Sequence, residues 1–95
     1  MNMGKIVGTV VATNKDHKLE GLKLQIVEYV DSSGKPTGGL VVAVDSVGAG
    51  TGEIVLVAAG SSARQTDTTE GKPVDACIMA IVDVLEVGGE TRYQS

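Results

Sequence analysis

Two short stretches of this chain hold residue types that do chemistry in other settings. "VDSVGAGTGE" (Val44–Glu53) places Gly48, Gly50 and Gly52 in a five-residue run, the composition of a loop that wraps a phosphate. "GSSAR" (Gly60–Arg64) offers two hydroxyls, Ser61 and Ser62, beside a guanidinium. A Walker-type loop needs Lys and then Ser or Thr directly after its glycines, and here Glu53 and Ile54 stand in those places. A dinucleotide loop needs a helix N-terminus after the glycines, so that the helix dipole faces the pyrophosphate. The next residues here, "EIVLVAA", have a strand pattern instead, and the Glu53 carboxylate would repel an anion. The glycines therefore read as turn chemistry: positive φ and close backbone approach at Gly48, Gly50 and Gly52 in a hairpin.

The serines fail their own test. The elbow pattern G-x-S-x-G breaks at its last position, where Arg64 stands. A Ser-x-x-Lys arrangement breaks as well, because Arg64 does not release its proton at neutral pH. His17 is the one histidine and sits in a polar segment between charged neighbours. One His and one Cys (Cys77), far apart, make no zinc site. Cys77 falls in an apolar run and reads as a small buried hydrophobe. Asp45 and Asp83 each interrupt an apolar strand and need a partner if buried, with Arg64 a candidate for one of them. The chain carries no catalytic, cofactor-binding or metal-binding set, and the expectation is a protein that is not an enzyme.

Composition narrows the class further. The chain has 95 residues and a formal charge of −4, with no Phe, no Trp and two Tyr. An acidic chain lacks the basic stripe that releases counterions from nucleic-acid phosphates, and two tyrosines make a poor base-stacking platform. No apolar run approaches the ~20 residues of a membrane span. A single cysteine and the absence of a signal-like apolar segment point to the cytoplasm. A chain of this size buries only about 60–68% of its unfolded surface, and here without large aromatics, so self-association is a natural source of further burial.

The elements that must position these residues read as strands. "GKIVGTVVAT" (Gly4–Thr13) is rich in β-branched residues. "LKLQIVEYV" (Leu22–Val30) alternates, with Leu22, Leu24 and Ile26 on an apolar face and Lys23 and Gln25 on a wet one. "DSSGKPTGG" (Asp31–Gly39) is dense in turn formers. "LVVAVDSV" (Leu40–Val47) and "EIVLVAA" (Glu53–Ala59) are two further strands, joined by the glycine loop as a hairpin. Ser61 caps a single short helical turn, and "ACIMAIVDVLEV" (Ala76–Val87) forms the fifth and longest strand. The tail, Gly88–Ser95, adds at most an edge. These elements predict a single domain, mainly β: a small five-stranded OB-like barrel with one short helical turn and a core from about residue 4 to 87. In the fifth strand both faces are apolar, with Ile78, Ala80, Val82 and Val84 on one and Cys77, Met79, Ile81 and Leu85 on the other. A barrel has one interior, so the other face calls for a neighbouring subunit.

The wording "AVDSVGAGTGE", "GSSAR" and "PVDACIMAIVD", with the opening "GKIVGTVVAT" and "KLEGLKLQIVEYVD", resembles the pentameric vertex proteins of bacterial microcompartment shells. The resemblance covers about Gly4 to Val87. It implies an OB-like barrel that closes into a homopentamer at the corners of a cytoplasmic polyhedral shell, bordered by hexagonal facet proteins, without cofactor or enzymatic activity. The GTGE wording leans toward shells around catabolic enzymes rather than carboxysomes. On this reading Gly48, Ala49, Gly50, Gly52, Glu53, Ser61, Ser62, Ala63 and Arg64 are assembly elements. Small residues would let backbones approach closely between subunits, and Arg64 would reach a carboxylate across the joint. The alternative is a free-standing OB-like module that binds a ligand or peptide, which would run as a monomer.

Overall fold

The computed structural model describes residues 1–94. Five strands close into a barrel: β1 (Asn2–Val10), β2 (Leu24–Val30), β3 (Pro36–Asp45), β4 (Ile54–Ala59) and β5 (Ala76–Ile81). Their order around the barrel is β1-β2-β3-β5-β4, and β1 and β4 pair to close it. All neighbours are antiparallel except β3 and β5, which meet in parallel at Val44–Cys77 and Asp45–Ile78. The extra residue Val7 in β1, between the pairs Ile6–Val27 and Gly8–Ile26, is a bulge. Such an insertion sharpens local twist and helps a short sheet curl on itself. β1 and β2 also approach closely at Gly4, where any Cβ would collide with the Val27 side chain.

The expected all-β, five-stranded barrel is therefore present, with several local corrections. β3 begins at Pro36, so the predicted turn segment Asp31–Gly39 is a real loop only to Lys35. There the Asp31 carboxylate accepts the N–H groups of Ser33 and Lys35 and folds the turn. The glycine loop is not a hairpin, because β3 and β4 do not pair; it crosses the end of the barrel. The predicted fifth strand breaks after Ile81, with Val82 and Asp83 outside any strand. Its remainder, β6 (Val84–Val87), forms a separate two-stranded ribbon with β7 (Glu90–Gln94). Gly88 and Gly89, both at positive φ, make the turn between them, so much of the predicted tail is a strand. β3, not β5, is the longest strand. The short helical segments number two among the described residues, His17–Leu19 and Gly60–Arg64, both 3-10 turns.

The interior is built from Ile6, Val27, Ala43, Ala49, Val55, Val57, Ala76 and Ile78. Gln25 belongs there too, at 1% exposure, which reverses the expected facing of β2. Gln25 and Val27 point inward, whereas Leu24 packs in a second cluster outside the barrel. That second cluster, Val44, Ala63 and Cys77 with Leu22, Leu24, Val74 and Met79 around it, corrects a further expectation. The outer face at the start of β5 is covered by this chain's own 3-10 turn and by its long connection to β5, not left for a neighbour. Cys77 is a free, buried thiol filling that cluster, as its composition suggested.

Candidate assembly surface

The loop from Ser46 to Glu53 is fixed by a buried polar network. The Asp45 carboxylate, with no exposed side-chain area, accepts the N–H groups of Val47 and Gly48 at 3.0 and 2.9 Å. The Gln25 amide donates to Asp45 at 3.3 Å and to the Ala49 carbonyl at 2.9 Å. Thr9 in turn donates its hydroxyl to the Gln25 carbonyl oxygen at 2.9 Å. Burial pushes the Asp45 pKa up. The N–H groups of Val47, Ala49 and Gly48 and the Gln25 amide outweigh it, so the carboxyl sits below its ordinary value. The Lys23 ammonium stands 4.0 Å away at the surface. Arg64 does not serve Asp45, and Asp83 is exposed and needs no partner.

This network drives Ala49 into the barrel end as a plug, at 1% exposure. The far side of the loop is stitched to β1: the Gly52 N–H donates to the Ile6 carbonyl, and the Ile6 N–H donates to the Glu53 carbonyl. The Glu53 carboxylate accepts the Gly50 N–H at 2.6 Å and closes the loop on itself. Gly48 and Gly52 adopt φ of +77° and +93°, as turn chemistry requires, whereas Gly50 does not. An added Cβ at Gly48 or Gly52 would meet nothing within 4 Å of this chain. Backbone conformation, not crowding within the subunit, thus demands these two glycines.

The second stretch lies at the other end of β4. Ala59, not Ser61, is the residue before the 3-10 turn, and no side chain caps it. The Ser62 hydroxyl donates to the Ala59 carbonyl at 2.8 Å. Ala63 is wholly buried over Cys77 and Val44. The Arg64 guanidinium donates to the Val74 carbonyl at 2.9 Å, clipping the turn to the connection that leads into β5. Within that connection Thr66 and Thr69 bond through their hydroxyls at 2.6 Å, and Thr69 is fully buried.

Of the nine residues singled out from sequence, Gly48, Gly52, Ser61, Ser62 and Arg64 are exposed, and Gly50 and Glu53 half-buried. Ala49 and Ala63 are core residues of this chain. The two groups are separated by the length of β4 and do not converge on one point. His17 is a surface residue near Asp16, its side chain 81% exposed. Among the described residues no group of three His, Cys, Asp or Glu side chains is placed to hold a metal ion. Among them, too, no helix is long and apolar enough to cross a membrane. Gln25 and Thr9 were missed because the neighbouring leucines imposed the opposite facing. The signal was Asp45, which had to find a partner.

Large apolar side chains are open at Val47 in the loop, at Met1, Val7 and Val11 in and around β1, and on β3 and the ribbon. Leu40 and Val42 on β3 are 65% and 50% exposed, and Val84 and Val87 on the ribbon 48% and 40%. Beside Val42 runs a groove of about 220 Å³ lined by Leu19, Leu24, Val44 and Val74.

The family described as "Ethanolamine utilisation protein EutN/carboxysome" matches residues 1–83. The Bacterial microcompartment shell vertex protein EutN of Escherichia coli K12 is 46% identical over 93 residues, covering 98% of each chain. The Carboxysome shell vertex protein CcmL of Nostoc sp. PCC 7120 is 47% identical over 94 residues, covering 98% of this chain and 93% of its own. Its structure superposes with a TM-score of 0.95 over the full length of both chains. The GrpN pentameric microcompartment shell protein of Rhodospirillum rubrum, 46% identical, superposes at 0.83 over 92% of this chain and all of its own. With its barrel, its glycine loop and its matched length in agreement, the chain belongs to the EutN/CcmL family of microcompartment shell vertex proteins.

Proposed function

We propose that this chain is a structural piece rather than an enzyme, five copies of which close into a ring at the corners of a cytoplasmic protein shell. The observation that carries the reading is the likeness, over nine-tenths of the chain, to the pentameric GrpN shell protein. Physical chemistry supports it from a second side. Leu40 and Val42 lie open on a barrel whose interior holds no aromatic ring, and Val84 and Val87 lie open on the ribbon, surfaces that gain from a second copy. A ring of this kind uses one patch against a different patch on the neighbour.

A closed polyhedron needs curvature that hexagonal tiles alone do not give, so its partners are hexagonal facet proteins. Loop residues Gly48, Gly50, Gly52 and Glu53 and turn residues Ser61, Ser62 and Arg64 are offered as contacts. Ala49 and Ala63 hold the two elements in place from beneath. The GTGE wording inclines us to a catabolic shell over a carboxysome; the identities to EutN and CcmL relatives, 46% and 47%, favour neither. The test is omission of this chain from a shell-forming set that lacks another vertex protein. Elongated or unsealed shells with intact facet proteins are expected; normal closed polyhedra would refute the vertex role.

A further inference from the structure

The inner face of the barrel is apolar over most of its length and polar at one end. Thr9 and Gln25 are register partners on β1 and β2, and Gln25 is in turn the partner of Ala43 on β3. Partners in a ladder share a face, and Asp45 stands two residues beyond Ala43 on that same face. Gln25 and Ala43 are buried, whereas Thr9 is exposed at the rim. Thr9, Gln25 and Asp45 thus make a polar layer beneath the glycine loop. Both N–H donors of the Gln25 amide are engaged, one by Asp45 at 3.3 Å and one by the Ala49 carbonyl at 2.9 Å. Its carbonyl oxygen accepts the Thr9 hydroxyl at 2.9 Å.

The two halves of the loop are held by different means. Backbone bonds fasten the exit half to β1, from the Gly52 N–H to the Ile6 carbonyl and from the Ile6 N–H to the Glu53 carbonyl. Side chains fasten the entry half, Val47–Ala49. The Val47 and Gly48 N–H groups donate to the Asp45 carboxylate, and the Ala49 carbonyl accepts from Gln25. Val47 and Gly48 are the open residues of this half. A methyl in place of the Thr9 hydroxyl would leave the Gln25 oxygen facing carbon inside the barrel, and an unpaired buried acceptor is costly. Turning that oxygen toward water withdraws the amide N–H groups from Asp45 and Ala49.

We propose that Thr9 is a positioning residue for assembly: its hydroxyl fixes Gln25, and Gln25 with Asp45 sets Val47–Ala49 in the shape the ring requires. This rests on the reading above that the loop takes part in assembly.

Two full-length variants test it. Thr9→Val keeps the methyl and loses the hydroxyl; Thr9→Ser does the reverse. Thr9 is exposed and valine suits a strand as well as threonine does, so both barrels should fold, with hydrogen exchange in β4 and β5 as the check. In Thr9→Val, exchange at Val47–Ala49 should quicken about three- to tenfold, while Gly52 and Glu53 exchange as in the wild type. Native mass spectrometry across a dilution series should show its five-copy species giving way to monomer at a several-fold higher concentration. Thr9→Ser should match the wild type in both readouts, which a role in packing alone would not produce. Unchanged loop exchange in Thr9→Val overturns the proposal, as does a ring of unchanged stability beside a loosened loop; both leave the ring reading standing. Serine behaving as valine does also overturns it. A monomeric wild type overturns the ring reading and the proposal together. If valine disturbs the strands, Thr9→Ala removes the hydroxyl without a branched side chain and faces the same outcomes.

Discussion

The outer face of β5 and the outer face of β3 are both apolar, yet the chain treats them differently. Over the start of β5 it lays its own 3-10 turn, and Ala63 seals Cys77 and Val44 from water. Over β3 the cover stops at Val44, and farther back along the strand Leu40 and Val42 stay open. A two-sided apolar strand announces that a second layer is needed without saying which molecule supplies it. The supplier is decided by the connections, since the long β4-to-β5 link, with Leu22 from the β1-to-β2 link, covers one end of these strands. The open apolar surface is thus found on β3 rather than at the start of β5.

Substitutions on the two faces should separate sharply, and the largest effect is expected under the 3-10 turn. Ala63→Asp buries an unpaired carboxylate at a fully covered site and should cost about 3 kcal/mol or more. Urea denaturation at fixed protein concentration measures it. Next is Gly4→Ala, where the new methyl meets Val27 in the barrel wall and should cost about 1–3 kcal/mol by overpacking. Gln25→Ala leaves Asp45 and the Ala49 carbonyl short of a donor inside the barrel. A loss of about 1–3 kcal/mol is expected, with faster hydrogen exchange in residues 46–53.

Asp45 adds a pH signature. Its folded pKa lies below the ordinary 3.8, so its stabilising effect is complete above that value and is lost as pH falls through the lower folded one. Asp31, an exposed residue, shifts in the same direction through the N–H groups of Lys35 and Ser33. Asp45→Asn should flatten the acid limb of a stability-versus-pH curve below about pH 3.8, and an unchanged limb would assign acid unfolding to other groups. The smallest effect on the fold belongs to the bare face. Val42→Lys should shift the stability of the isolated subunit by no more than about 0.5 kcal/mol. A shift as large as that of Ala63→Asp would erase the distinction between the faces.

Much of the barrel was legible in the sequence, because β-branched runs between turn formers announce strands. "GKIVGTVVAT" and "EIVLVAA" became β1 and β4 within a few residues. Gln25 was not legible: Leu22, Leu24 and Ile26 share a period that names a face without saying whether it lines the barrel or its outer cluster. The break at Val82–Asp83 was equally hidden, since an apolar strand and an apolar strand that leaves the sheet have the same composition. The loop's character as a crossover depended on β3 joining β5 in parallel, a long-range pairing that local turn signals do not encode. At the candidate surface, the turn glycines Gly48 and Gly52 were readable from their type. The burial of Ala49 and Ala63 was not, because small residues suit a tight interface and a tight core alike.

The vertex role depends on assembly, and the mass of the untouched wild-type protein reads it most directly. Native mass spectrometry at micromolar concentration should show a species at five times the 9.7 kDa chain mass. A single 9.7 kDa species under the same conditions would contradict assembly into a ring.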